Sequence, residues 1–389
     1  MGFVAGFTST TSKRPQALFD AEDAELPSRM ARSEGCRVWD ERGREYVDYI
    51  MGLGSVALGY AHPTVVEAAV AAVREGGVGP LPPVLEEALA SELTRLIGPI
   101  EKVRFLKTGA EAMAAAVRLA RVATGRDLIL GCGYHGWLDW CQQAEAAGVP
   151  AATRALYKVL PFDDPAAARE LIHRAGDRLA AVVFEPVIVH EPGREWLQVL
   201  REETRRVGAL LVVDEIKTVC RLAVGGATER YGLEPDLIVV AKAIANGFPL
   251  AAVGGSEVAM SAVGRTWISS TLATEWVGLA AGLATLRVVI ERQVPSHLAR
   301  VGGRLLAGLQ RLAAAHPDVV ARAAGIPEMT VLELTQESHS GRLARAAARR
   351  GLLFKRSAYN FVSLAHDDAV VDWTLGTLDE SLSSLARGE

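Results

Sequence analysis

Four short apolar runs constrain this chain more than any other feature: Leu128-Ile129-Leu130, Leu179 to Phe184, Ala209 to Val213 and Leu237 to Ala241. Each is too short for a helix, and charged, helix-forming stretches separate them. Continuous apolar strands alternating with helices indicate an α/β fold with a mostly parallel sheet covered on both faces. Residues 36–49 alternate apolar and polar side chains around Glu41-Arg42-Gly43, which predicts a β-hairpin near the start. From about Thr285 the pattern becomes α+β. It predicts a long amphipathic helix over 287–315, a strand at 329–334, a helix through 341–350, strands near 352–355 and 361–365, and a terminal helix. The segment 148–165 shows no periodicity, and a loop of that length is expected to be a lid or binding loop.

The 389 residues exceed the size at which one hydrophobic core stops growing, roughly 250–300 residues, so two domains are expected. A formal charge of −4 with scattered basic residues offers no field for nucleic acid. No apolar run is long enough for a membrane span, and the N-terminus lacks an export pattern. Cys36, Cys132, Cys141 and Cys220 have neither zinc-knot spacing nor disulfide density, so reduced thiols in a cytoplasm are expected, and no metal.

Lys242 follows a wholly apolar strand and precedes Gly247, Pro249, Gly254 and Gly255. Such a lysine either reaches solvent at the strand exit or stays desolvated, and in the second case its amine becomes nucleophilic toward a carbonyl. Asp214 ends the Ala209–Val213 run, where α/β sheets place ligands. In an extended segment Ile216 would point to the same side. A carboxylate there can pair with a protonated pyridine nitrogen or cap a helix. Residues 103–112 run as a strand through Thr108 and Gly109 into a helix, whose free amides suit a phosphate dianion. Gly133-Tyr134-His135-Gly136-Trp137 places an aromatic at a glycine-flanked turn, suited either to stacking on a flat cofactor or to a core.

In order and spacing these elements resemble the class III pyridoxal-phosphate aminotransferases of fold type I, over roughly residues 30–385, and most nearly the glutamate-1-semialdehyde aminomutase branch. The resemblance implies a large cofactor-binding domain over 51–285 and a small α+β domain from both termini, 1–50 and 286–389. It implies that Thr108, Gly109 and Ala110 bind the phosphate of pyridoxal 5'-phosphate, and that Tyr134 and His135 lie against the ring. Asp214 and Ile216 would contact the ring nitrogen and face, Glu185 of the Glu185-Pro186 pair would lie nearby, and Lys242 would form the Schiff base. Thr271 would reach the phosphate of the neighbouring subunit in a homodimer with shared sites. Arg14, Ser55 and Trp137 are the candidates for substrate contact.

Three departures from the family pattern stand out. Ala110 lacks the usual hydroxyl, Val219-Cys220 replaces a common Gly-Phe, and Lys217 occupies a position where many members carry glutamine. The C-terminal strand, 359–366, lacks the arginine that clamps an α-carboxylate. The expected activity is transfer of an amino group between an amine or amino acid and a carbonyl compound. The alternatives are an intramolecular aminomutase, a racemase or decarboxylase on the same scaffold, or a cofactor-free scaffold.

Overall fold

The computed structural model describes residues 3–21, 23–143 and 145–387. The chain forms two compact units, one from residues 63–295 and one from both termini, 1–62 with 296–389. Residues 51–62 join the terminal unit because their backbone is tied into it. Gly35 and Tyr60 exchange amide hydrogen bonds, and Leu364 donates to Ala57 O at 2.7 Å.

The central unit holds seven strands: β1 (Lys102–Leu106), β2 (Leu128–Cys132), β3 (Tyr157–Val159), β4 (Leu179–Phe184), β5 (Leu210–Asp214), β6 (Leu237–Val240) and β7 (Ala251–Gly255). In space they run β1-β7-β6-β5-β4-β2-β3. All pairings are parallel except those of β7, which is antiparallel to both β1 and β6. Two antiparallel steps restore direction, so β1 points the same way as the parallel strands, and all their carboxyl ends lie on one edge.

The apolar runs fill two cores because strand side chains alternate between faces. Ile129, Ala181, Val183 and Val212 pack with the alanine-rich helix Gly109–Thr124. Leu130, Val182, Phe184, Leu211 and Val213 pack with Ala168, Ile172, Trp196 and Leu200 from helices Pro165–Ala175 and Arg194–Val207. Each such buried aliphatic contributes about 1.5–3 kcal/mol.

The expected lid at 148–165 is instead a short helix, Ala151–Arg154, followed by the edge strand β3. Tyr157, Lys158 and Val159 pair with residues 129–131, and a three-residue strand is too short for a period to show in sequence.

In the terminal unit the hairpin forms from Arg37–Asp40 and Glu45–Asp48. Asp40 fixes its turn by accepting the Arg42 and Arg44 amides, each at 2.9 Å. The helix expected over 287–315 is two helices, Trp276–Glu291 and Val294–Ala315. Gln293 takes a positive φ of 48°, and Pro295 lacks the amide that a continuous helix would bond to the carbonyl four residues back. The strands expected near 352–355 and 361–365 are two-residue pieces, Leu352–Leu353 and Asn360–Phe361.

Adjacent glycines test the packing of helix Val294–Ala315. A Cβ on Gly302 would run into the Pro327 carbonyl, whereas none of the neighbours lies within 4 Å of one on Gly303. Gly302→Ala should cost about 1–3 kcal/mol by overpacking, and Gly303→Ala should gain about 0.5–1 kcal/mol from helix propensity. Urea unfolding midpoints moving in opposite directions for the two variants are the expected result.

Candidate active site

Five loops leave the carboxyl edge of the central sheet, and each begins with residues singled out in the sequence. Leu106 leads into helix Gly109–Thr124, Cys132 into Tyr134 and His135, Phe184 into Glu185, β5 ends on Asp214, and β6 is followed by Ala241 and Lys242.

Thr108 caps helix Gly109–Thr124 in a capping box with Glu111. The Thr108 Oγ1 accepts the Glu111 amide at 3.2 Å, and Glu111 Oε2 accepts the Thr108 amide and hydroxyl, each at 2.9 Å. The threonine hydroxyl is therefore committed to the cap, and the Gly109 and Ala110 amides are the ones the helix end offers an anion. Gly109 admits the Ile216 side chain, whose Cδ1 lies 2.7 Å from where a Cβ would stand. Gly136, at φ 102°, closes on Ala110 in the same way, 2.7 Å from an ideal Cβ to the Ala110 Cβ. The alanine that departs from the family pattern thus sits where a larger side chain would meet the 133–137 turn.

Asp214 is buried at 2% exposure. Its Oδ1 accepts the Ile216 amide at 3.1 Å, and its Oδ2 lies 2.7 Å from His135 Nδ1. An ionised carboxylate only accepts, so His135 donates from Nδ1. The imidazole is buried too, stacked on Trp140 with centroids 6.0 Å apart. Ile216 reaches Gly109 from a turn and not from an extended segment, because the strand ends at Asp214 and the carboxylate binds the amide two residues on.

Glu185 links two loops. Its Oε2 accepts the Tyr134 amide at 3.0 Å, and its Oε1 pairs with Lys217 Nζ at 2.9 Å. Lys242 is partly buried at a positive φ of 52°. Burial first, and then the like charge of Lys217, lower its ammonium to about 8, against the opposing pull of Glu185 and Asp214.

The remaining candidates are more open. Tyr134 and Trp137 are exposed at 72% and 75%, and Thr271 is exposed in the turn before helix Trp276–Glu291, near Trp267 and Leu272, which are exposed as well. Arg14 and Ser55 belong to the terminal unit. The Arg14 guanidinium lies against Gly6, and Ser55 donates to Gly52 O at 2.8 Å. Among the described residues no group of three or more His, Cys, Asp or Glu could hold a metal, and no helix is long and apolar enough to cross a membrane.

Sequence reasoning missed the hydrogen bond between His135 and Asp214, the stacking of Trp140 and the pairing of Lys217 with Glu185. Only the Thr-x-x-Glu signature of the capping box could have been read in advance.

These residues fit pyridoxal phosphate. Asp214 supplies a buried carboxylate for the ring nitrogen, the Gly109 and Ala110 amides suit the phosphate, and Lys242 supplies an amine that sheds its proton near pH 8.

A lysine with a lowered pKa carries a stability cost. Between about pH 8 and its ordinary value of 10.5 the unfolded chain binds a proton that the folded chain releases, so stability rises with pH through that window and the cost is full below it. Lys242→Met without cofactor should be more stable than wild type at pH 7 by about 1–3 kcal/mol, and the gain should shrink by pH 10. Unfolding curves of the two proteins at both pH values check this.

The family profile described as Aminotransferase class-III matches residues 18–382. The glutamate-1-semialdehyde 2,1-aminomutase of Thermomicrobium roseum is 35% identical over 94% of this chain and 93% of that protein. A same-named protein of Thermus thermophilus is 34% identical over 92% of this chain and 91% of that protein. Among solved structures, an omega-transaminase from Sphaerobacter thermophilus superposes with a TM-score of 0.89 at 26% identity, covering 98% of this chain and 94% of that one. The PLP internal aldimine form of the Sphingopyxis sp. MTA144 FumI protein superposes with a TM-score of 0.91 at 27% identity, covering 96% and 92%.

Proposed function

The chain belongs to the class III aminotransferases of fold type I, whose cofactor is pyridoxal phosphate, and from that premise we propose that it moves an amino group between an amine or amino acid and a carbonyl compound. The observation that carries this reading is that one sheet edge carries both the Lys242 amine and a buried, histidine-held carboxylate, Asp214. When bound, the cofactor supplies an electron sink. Lys242 would contribute the nucleophilic amine that holds the cofactor and the base that carries a proton from the substrate carbon. Asp214 would serve the ring nitrogen as its carboxylate partner, and His135 fixes that carboxylate. The amides of Gly109 and Ala110 would hold the phosphate, Ile216 and Tyr134 would lie against the ring, and Glu185 keeps the Tyr134 loop in place. Trp137 serves the substrate.

An intramolecular aminomutase is the second reading, supported by relatives of that name at 34–35% identity along nearly the whole chain. Supply of a separate carbonyl acceptor separates the two. Turnover that requires an acceptor and releases two products, identified by mass spectrometry, supports transfer between molecules, and isomerisation of one compound without acceptor overturns it. Asp214→Asn should keep the fold and slow proton abstraction by on the order of 3 kcal/mol in the barrier, read in single turnovers. Unchanged rates would remove Asp214 from the chemistry.

We further propose a cytoplasmic homodimer in which the exposed Thr271 completes the phosphate site of the opposite subunit. Four free cysteines support the compartment, and the surface around Trp267 and Leu272 supports the contact. Lys242→Ala and Thr271→Asp homodimers should each be inactive, while their heterodimer should regain one intact site and about half of wild-type activity. Verified heterodimers without activity would place both residues within one chain's site.

A further inference from the structure

Lys217 is a second buried amine at the site, and the class III pattern does not account for it. Asp214 and Val239 are register partners on β5 and β6, and Lys217 and Lys242 each follow their partner by three residues. The two lysines therefore leave adjacent strands on the same edge. Lys217 is only about 10% exposed and is held at 2.9 Å by Glu185, itself about 10% exposed and anchored by the Tyr134 amide. A buried ammonium with a buried carboxylate at ion-pair distance keeps its charge, since neutralising it would strand the carboxylate.

The charged groups around Lys242 are Lys217 and Arg221 from the loop after β5, Asp214 at the end of β5, and Glu185 at the end of β4. Both carboxylates are already engaged, Asp214 by His135 and the Ile216 amide, Glu185 by Lys217 and the Tyr134 amide.

We propose that Lys217 is a positioning residue that sets the charge state of Lys242: fixed by Glu185, its ammonium makes a second positive charge on the neighbouring lysine unfavourable, so Lys242 is the amine that stands free. This rests on the reading of Lys242 as the reacting amine. It also divides the labour between two lysines that sequence chemistry alone would leave interchangeable.

The test uses the full-length chain in two arms. With pyridoxal phosphate bound, the pH midpoint of the protonated imine absorbance is measured, and borohydride reduction with peptide mapping reports which lysine carries the cofactor. Without cofactor, the pH midpoint for acetylation of the Lys242 peptide by acetic anhydride is measured by mass spectrometry. Lys217→Gln and Lys217→Met should raise both midpoints by about one pH unit, a tenfold change in protonation ratio at fixed pH. Lys217→Arg keeps the charge and should stay within a few tenths of wild type, and Glu185→Gln should move the midpoints down. Unchanged midpoints in Lys217→Gln, or equal shifts in Lys217→Arg and Lys217→Met, overturn the proposal. If neutral substitutions fail to fold, an unchanged midpoint in Lys217→Arg with a lowered one in Glu185→Gln supports the proposal, and equal midpoints in those two variants overturn it. Borohydride labelling on another lysine overturns the reading of Lys242 as the anchor, while the acetylation arm still decides the effect of Lys217.

Discussion

The hydrogen bond between His135 and Asp214 is the interaction on which the rest of the site depends. A carboxylate at 2% exposure is costly unless it is paired. The imidazole donates to one oxygen, the Ile216 amide to the other, and Trp140 holds the imidazole in place. An acid so fixed keeps its acceptor geometry while the parallel strands around it supply rigidity.

Around this pair the site balances charges. Glu185 and Lys217 form a second buried pair one strand over, and Lys242 is the member left to shed its proton. The loops are tied by the same groups, since Glu185 reaches both Tyr134 and Lys217. Polar pairs of this kind do not out-stabilise an apolar core of the same volume, and their value here is in fixing which groups are charged.

Much of the frame was legible because buried parallel strands leave continuous apolar runs, as at Leu179–Phe184 and Leu237–Val240. The strand-to-helix turn at Thr108–Gly109 and the place of Lys242 behind an apolar strand were legible because a glycine at such a turn and a lysine behind such a strand are both unusual. What escaped was set by tertiary packing. Strand β3 lies at the sheet edge with only three residues, and the break before Val294–Ala315 depends on one residue at positive φ. The partner of Asp214 lies 79 positions away in sequence, and no local pattern links it to His135. Ala110, which lacks the usual hydroxyl, has Gly136 packed against it, a contact between loops that no local pattern shows.

The antiparallel strand β7 has a consequence for the order in which the site can come into being. β1 lies at the sheet edge, and β7 is its sole strand neighbour among the described residues. During synthesis the strand that leads into Thr108 and Gly109 therefore emerges well before the segment that can dock it, and it waits until residues 251–255 have left the ribosome. The loop bearing Lys242 is made just ahead of that closing strand. The Lys242 loop and the strand that leads into Gly109 thus take their places together, at the last step of sheet assembly.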